Sequence, residues 1–173
     1  KDIRSESLRG GLTYNPASEL IDLGVIAYVN TSRVDEAEID TTREVSRRVK
    51  THGVVLDNRS KFNLSGDAAV TFTYGGEYYR DEQTGLDNTT ADGTRGGVPD
   101  AVAETYGAFV QADMNIPTEI GTFRIIPALR YDNFKNSSDN AGFNTEDGAT
   151  SPKIGLSYAP NDWLHLFGNY SEA

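Results

Sequence analysis

The sequence predicts an all-β chain of antiparallel, up-and-down transmembrane β-barrel strands, about eight of them and a fragment of a larger barrel. Three observations lead there. Apolar and polar residues alternate with period two along segments rich in Tyr, Phe, Val and Ile. Clusters of Gly, Pro, Asn and Asp bound those segments. The connections alternate strictly between short and long.

Taken in order, strands are expected at 4–14, 20–31, 48–62, 68–81, 104–115, 121–135, 151–159 and 163–172. The fourth shows the pattern best, with Val70, Phe72, Tyr74, Gly76 and Tyr78 on one face and Thr71, Thr73, Gly75, Glu77, Tyr79 and Asp81 on the other. The fifth sets Tyr106, Ala108, Val110, Ala112 and Met114 against Gly107, Phe109, Gln111, Asp113 and Asn115. The sixth sets Phe123, Ile125, Pro127, Leu129 and Tyr131 against Arg124, Ile126, Ala128, Arg130 and Asp132. Ile154, Leu156 and Tyr158, then Leu164, Leu166 and Tyr170, continue the apolar face. No charge is expected on that face in these five strands. Pro127 cannot donate to a ladder, so a bulge is expected there. Helical periodicity is weak throughout, and 34–47, the best helical candidate, reads better as a loop.

The connections run short (15–19), long (32–47), short (63–67), long (82–103), short (116–120), long (136–150) and short (160–162). A membrane barrel keeps tight turns on one side and recognition loops on the other, whereas soluble sandwiches have no reason to sort loops by side. Tyr14, Tyr78, Tyr106, Tyr131, Tyr158 and Tyr170 lie toward the ends of the apolar faces, where membrane–water girdles are expected. A half-buried soluble sheet would also alternate, but a second sheet would then cover the 70–78 face.

Composition narrows the function. Twenty-six acidic against 16 basic residues give a net charge of −10, which argues against nucleic acid as partner. There is no Cys and only two His, so neither a thiolate site nor a multi-histidine metal centre is expected. No apolar run approaches the roughly 20 residues of a membrane helix, and the first five residues lack a signal-peptide core. With long loops outside, both chain ends fall on the outer side, whereas complete single-chain barrels keep theirs in the periplasm. An internal segment is therefore expected.

Particular residues then bring a family into view. Tyr74-Gly75-Gly76-Glu77-Tyr78-Tyr79-Arg80-Asp81 resembles the strand that precedes a long loop in TonB-dependent receptors. Residues 107–113, 127–132 and 151–158 resemble three further strands of that barrel, and 163–173 resembles the strand leading into the family's Phe-Arg-Ala-Pro motif. The wording is most similar to haem and haemoglobin receptors, which share these strands with some siderophore receptors. The resemblance implies that residues 1–173 are part of a β-barrel domain of about 22 strands, with the plug domain and remaining barrel outside the sequence. It implies a bacterial outer-membrane importer of haem, a haem protein or a ferric siderophore, in contact with outer-membrane lipid and with the TonB complex through the plug. It implies no enzyme, no catalytic residue, no bound metal and no cofactor, since haem would be cargo.

Arg9, Asp22, Asp57, Arg59, Lys61, Glu77, Asp113, Arg124, Arg130, Asp132 and Lys153 are expected on the lumen face, where neighbouring strands bring opposite charges together. Near the tops of lumen rows, Tyr28 and Tyr79 are the candidate ligand-binding residues. His165 is expected near the periplasmic turn and His52 on the lipid face or rim, both poorly placed as haem ligands. The acidic stretch 139–148, with Asp139, Glu146 and Asp147, lacks calcium-loop spacing and reads as a solvated loop that could attract divalent ions. Asn88 matches a glycosylation pattern without weight here, and Arg95-Gly96-Gly97 is a lone flexible turn. Two other functions remain open. A small closed eight-stranded barrel could serve as an adhesin or structural protein. A barrel enzyme would need a nucleophile, base and acid at the outer rim, which the two histidines do not supply.

Overall fold

The computed structural model describes all residues except 66, 92, 94–99, 139–141 and 173. Eight strands follow one another as β1 (Asp2–Ser18), β2 (Ile21–Ala37), β3 (Glu44–Asn63), β4 (Ala69–Asp87), β5 (Ala101–Thr118), β6 (Gly121–Ser138), β7 (Phe143–Asn161) and β8 (Leu164–Ser171). They form one sheet in chain order, each strand antiparallel to the next. There is no helix among the described residues.

The strands run further than their apolar patterns. Residues 32–37, 44–47, 82–87, 101–103, 136–138 and 143–150, expected in long loops, are strand. Ladder pairs such as Asp35↔Ser46, Val45↔Asp87 and Ser137↔Asn144 hold these extensions together. The reason is that backbone N–H and C=O groups pair whatever the side chains do. Once register is set lower down, polar residues carry the ladder upward without leaving an apolar signature. Pro127 makes no bulge. The β5–β6 register is the same on both sides of it, from Gln111↔Ala128 to Met114↔Ile125, with no pairs assigned between. Pro127 itself stands opposite Ile154 of β7. The irregularities lie instead beside two tight turns, between Tyr14 and Ser18 and between Tyr158 and Asn161, around Pro16 and Pro160.

The two faces differ in composition and in exposure. The apolar face is open: Leu12 is 66% exposed, Tyr74 44%, Tyr131 50% and Leu156 52%. Val70 is the one buried hydrophobic residue among those described. The polar face is the more crowded, and Thr105 and Asp132 on it are buried. In a single sheet, that difference marks the polar face as the inside of the curve. A soluble domain would cover its apolar face with a second layer, and here none covers 70–78. Among the described residues β1 pairs only with β2 and β8 only with β7, so the eight strands do not close on themselves. The closed eight-stranded alternative is thereby corrected.

Cross-strand aromatic contacts knit the outer face: Phe62 meets Phe72 edge-on at 5.8 Å, Tyr78 meets Tyr106 at 4.9 Å, and Phe123 stacks on Tyr158 at 4.5 Å. Within the apolar band, Asn58 and Ser60 of this face are satisfied internally. Asn58 donates to the Tyr74 hydroxyl at 2.9 Å and to the Leu20 carbonyl at 3.0 Å, and the Ser60 hydroxyl donates to that carbonyl at 2.8 Å. From Val70 to Tyr78 the apolar stretch covers about 26 Å of strand at roughly 3.3 Å per residue. A tilt near 40° reduces this to about 20 Å of height, close to the apolar band of a membrane barrel. The face does carry charges, contrary to expectation. They begin one outer-face position beyond Tyr78 and Tyr106, at Arg80 and Glu104, and two beyond Tyr131, at Lys135.

Candidate functional site

The inner face brings the two candidate tyrosines into one cross-strand row. Arg9 of β1 faces Tyr28 of β2, which faces Gly53 of β3, which faces Tyr79 of β4. The row continues through buried Thr105 to Phe134. Gly53 allows this, because a Cβ there would lie 2.7 Å from both Cζ and Oη of Tyr28. The Tyr28 ring therefore lies across β3, in the direction of Tyr79. Beside it a groove of about 310 Å³ is lined by Ser7, Arg9, Ile26, Tyr28, Asn30 and Val55. The Ser7 hydroxyl donates to Asn30 Oδ1 at 2.6 Å across the β1–β2 seam. An aromatic ring flanked by a guanidinium, a hydroxyl and one side-chain amide suits a flat or anionic ligand.

Below and beside this row the expected charge pairing is present. Arg130 of β6 donates to Asp132 through Nε at 2.7 Å and Nη2 at 2.6 Å, and Nη2 also bonds Glu77 of β4. The intervening strand contributes Gly107, where a Cβ would sit 2.6 Å from Arg130 Nη2 and 2.7 Å from Asp132 Oδ1. The cluster thus spans three strands because the middle one offers no side chain. Arg124 donates to Asp113 through Nε at 2.7 Å and through Nη2 at 2.5 Å, and Arg59 approaches Asp22 at 3.8 Å. These groups are largely self-neutralised, and the wall is polar without a strong net sign. Arg9, Lys61 and Lys153 form no ion pair among the described residues.

At the loop end the β2–β3 hairpin docks on the last residue of β4 and the segment that follows it. The Asp87 side chain is 2% exposed and accepts from Arg43 Nη2 at 2.7 Å and Nε at 3.1 Å, from the Thr89 hydroxyl at 2.7 Å and from the Thr89 amide at 3.0 Å. These bonds, from Arg43 foremost and then Thr89, hold the Asp87 carboxyl well below the usual carboxylate range. Asn88 donates to the Thr42 carbonyl at 2.8 Å and accepts from the Glu44 amide at 2.8 Å. This clamp was not anticipated. Asp87-Asn88-Thr89 carries the spacing of a side-chain-capped turn, but nothing local points to Arg43, 44 residues earlier.

His165 lies on the inner face one residue into β8, beside the tight turn, as expected. His52 is on the outer face between Val29 and Arg80, at the charged rim. Glu146 and Asp147 belong to strand β7 instead of a loop, and Glu146 accepts from Asn133 at 3.3 Å. Asp139 and Arg95-Gly96-Gly97 lie outside the described residues. Among the described residues no three His, Asp or Glu side chains converge as metal ligands would.

Two curated proteins named hemin receptor, from Yersinia pestis and Yersinia enterocolitica, are each 30% identical to this chain over 155 residues, which is 87% of the chain and 21% of the relative. The chain thus spans about a fifth of the length of the curated relatives it matches. Among solved structures, the Serratia marcescens hemophore receptor HasR, in complex with its hemophore HasA and heme, superposes with a TM-score of 0.82 at 17% identity, covering 98% of this chain and 30% of HasR. The ferric citrate transporter FecA gives 0.70 at 15% identity over 98% of this chain and 27% of its own. BauA, the ferric preacinetobactin receptor of Acinetobacter baumannii, gives 0.71 at 13% over 96% and 29%. At these identities the structural likenesses establish the fold. The family description "TonB dependent receptor-like, beta-barrel" matches residues 2–173, and the chain belongs to that family.

Proposed function

We propose that residues 1–173 form part of the wall of a larger outer-membrane receptor barrel that imports haem or a haem protein. The membrane placement is supported by the exposed apolar band, bounded by Tyr78, Tyr106 and Tyr131 and then by charge. The ligand class is supported by the 30% identity to two hemin receptors. In this reading the loop end faces outward, the polar wall lines the ligand's route, and a plug domain couples transport to the TonB complex. The ligand is cargo, and no cofactor or catalytic residue takes part. Tyr28 and Tyr79 contact the ligand from the wall, with Arg9 offering a cation to its carboxylates.

The second reading, a ferric siderophore as cargo, is favoured by the polar, self-neutralised wall, which suits a hydroxyl-rich ligand as well. Titrating the full-length protein with haemin and with ferric siderophores decides between them. Haem import expects haemin to bind tightly and Tyr28→Ala with Tyr79→Ala to weaken it by about tenfold, as loss of a stacking contact would. Binding of siderophores alone would sink the haem reading. Unchanged haemin affinity in the double variant would remove the two tyrosines from the site.

A further inference from the structure

On the outer face, three arginines occupy directly facing positions of three adjacent strands: Arg4 of β1 opposite Arg33 of β2, and Arg33 opposite Arg48 of β3. Neighbouring strands lie about 4.8 Å apart, and like charges set directly opposite destabilise a sheet. In a chain of net charge −10, such a row is not explained by a general excess of cations. Carboxylates answer only part of it. Asp2 accepts from Arg4 at 3.0 Å and Asp35 from Arg33 at 2.9 Å. On β3 the column goes on to Lys50, which stands opposite Thr31 and Glu82. Glu82 is engaged by Arg80 at 3.0 Å, and Glu104 accepts from Arg80 at 3.2 Å and from the Tyr78 hydroxyl at 3.1 Å. Glu6 shares this face but stands two strands from Lys50, beyond Thr31, and pairs with neither Arg48 nor Lys50 among the described residues. Among the described residues Arg48 and Lys50 have no carboxylate within ion-pair distance, and both are exposed.

Height gives the second observation. Lys50 lies four residues beyond Val54, the last apolar outer-face residue of β3. That is about 13 Å along the strand, or roughly 10 Å of height at barrel tilt, and Arg48, six residues beyond Val54, stands at roughly 15 Å. A headgroup layer begins at the edge of the hydrocarbon and extends some 5–8 Å beyond it. The flexible stem of Lys50 can reach back into that layer and that of Arg48 to its outer edge, both keeping their charges wet.

We propose that Arg48 and Lys50, backed by Arg33, form a binding site for the phosphate groups of an outer-leaflet lipid headgroup. The inference rests on the reading that the apolar face meets lipid. A phosphate there relieves the arginine row and is held by charge-assisted bonds from guanidinium and ammonium donors.

The test uses the full-length protein in phosphatidylcholine vesicles, with and without bisphosphorylated lipid A or its dephosphorylated counterpart. Protease protection reports insertion, and native mass spectrometry reports bound lipid. The phosphorylated lipid is expected to bind the unmodified protein and to bind the Arg48→Gln/Lys50→Gln variant roughly thirtyfold more weakly, about fivefold for each cation lost. The Arg48→Lys/Lys50→Arg variant is expected to bind as the unmodified protein does, which separates lost charge from misfolding. Equal binding by the glutamine variant, or equal binding of the dephosphorylated lipid, would overturn the site. Competition by inorganic phosphate at the same concentration as the lipid would assign it to a free anion and likewise overturn the lipid site. Failure to insert in any vesicle would overturn the membrane reading together with this one, whereas insertion without phosphate dependence would overturn this one alone.

Discussion

Gly75 and Gly107 both sit on the inner face, yet they answer to different neighbours. A Cβ on Gly75 would lie 2.1 Å from the Leu56 carbonyl oxygen and 2.9 Å from the Asp57 Cα, which are backbone atoms of the paired strand. The nearest atoms to a Cβ on Gly107 would be the ends of Arg130 and Asp132 and, at 3.2 Å, the Glu77 Cγ. Backbone cannot yield without shifting a strand, and side-chain ends can. Gly75→Ala is therefore expected to destabilise the folded barrel by about 2–3 kcal/mol, in the range of overpacking. Gly107→Ala should stay within about 1 kcal/mol, because the strand gains from losing a glycine what the ion cluster loses. Guanidinium unfolding of the lipid-reconstituted protein measures both, and the reverse order would contradict the placement. The alternation that puts both glycines on the polar face is visible in sequence, but which of them touches backbone is not.

At the scale of the hairpin, the clamp between Arg43 and Asp87 ties two loop-side segments that share no local sequence signal. Asp87→Asn keeps the shape but removes the charge that Arg43 grips. Amide exchange is expected to rise in 38–44 and 86–90 and to stay unchanged in the apolar stretch 70–78, as hydrogen exchange on the reconstituted protein can show. The pH dependence follows from the lowered Asp87 pKa. A carboxylate with a depressed folded-state pKa contributes fully above its unfolded value of about 3.9, and loses that contribution only as pH falls through the lower folded value. The clamp should therefore hold at pH 5 as at pH 7 (both above the roughly 3.9 of a free Asp), and slow exchange in 38–44 at both would bear this out. The strand extensions that carry the clamp were expected as loops, because polar residues such as Asp35, Ser46 and Thr84 give no period-two contrast. Their ladder is a property of the backbone.

For the whole molecule, the decisive feature is a sheet whose two outermost strands each have one edge unpaired among the described residues. These edges run along Asp2–Ser18 of β1 and Leu164–Ser171 of β8. Open edges recruit further strands, and the proposed larger barrel would supply them. Residues 1–173 produced alone and refolded in detergent are accordingly expected to self-associate. Size-exclusion chromatography with light scattering measures this, and a stable monomer with the heat-modifiable mobility of a closed barrel would contradict it.

Period two, the sorting of connections by length and the tyrosine-bounded apolar stretches determined the class of fold, the strand order and which face carries the apolar band. Those features are local, since each strand must show alternate residues to two different surroundings. The family, too, was readable from short strand motifs such as 74–81. Tertiary structure decided the rest. It showed how far the ladders run past the apolar band, that Pro127 leaves the register intact, and that β1 and β8 stay apart. It also decided which distant residues meet: Tyr28 over Gly53 in the row of Tyr79, Glu77 with Arg130, and Arg43 with Asp87. Such meetings depend on register between strands, which no single strand's sequence records, and so the wall was legible before the structure while its contacts were not.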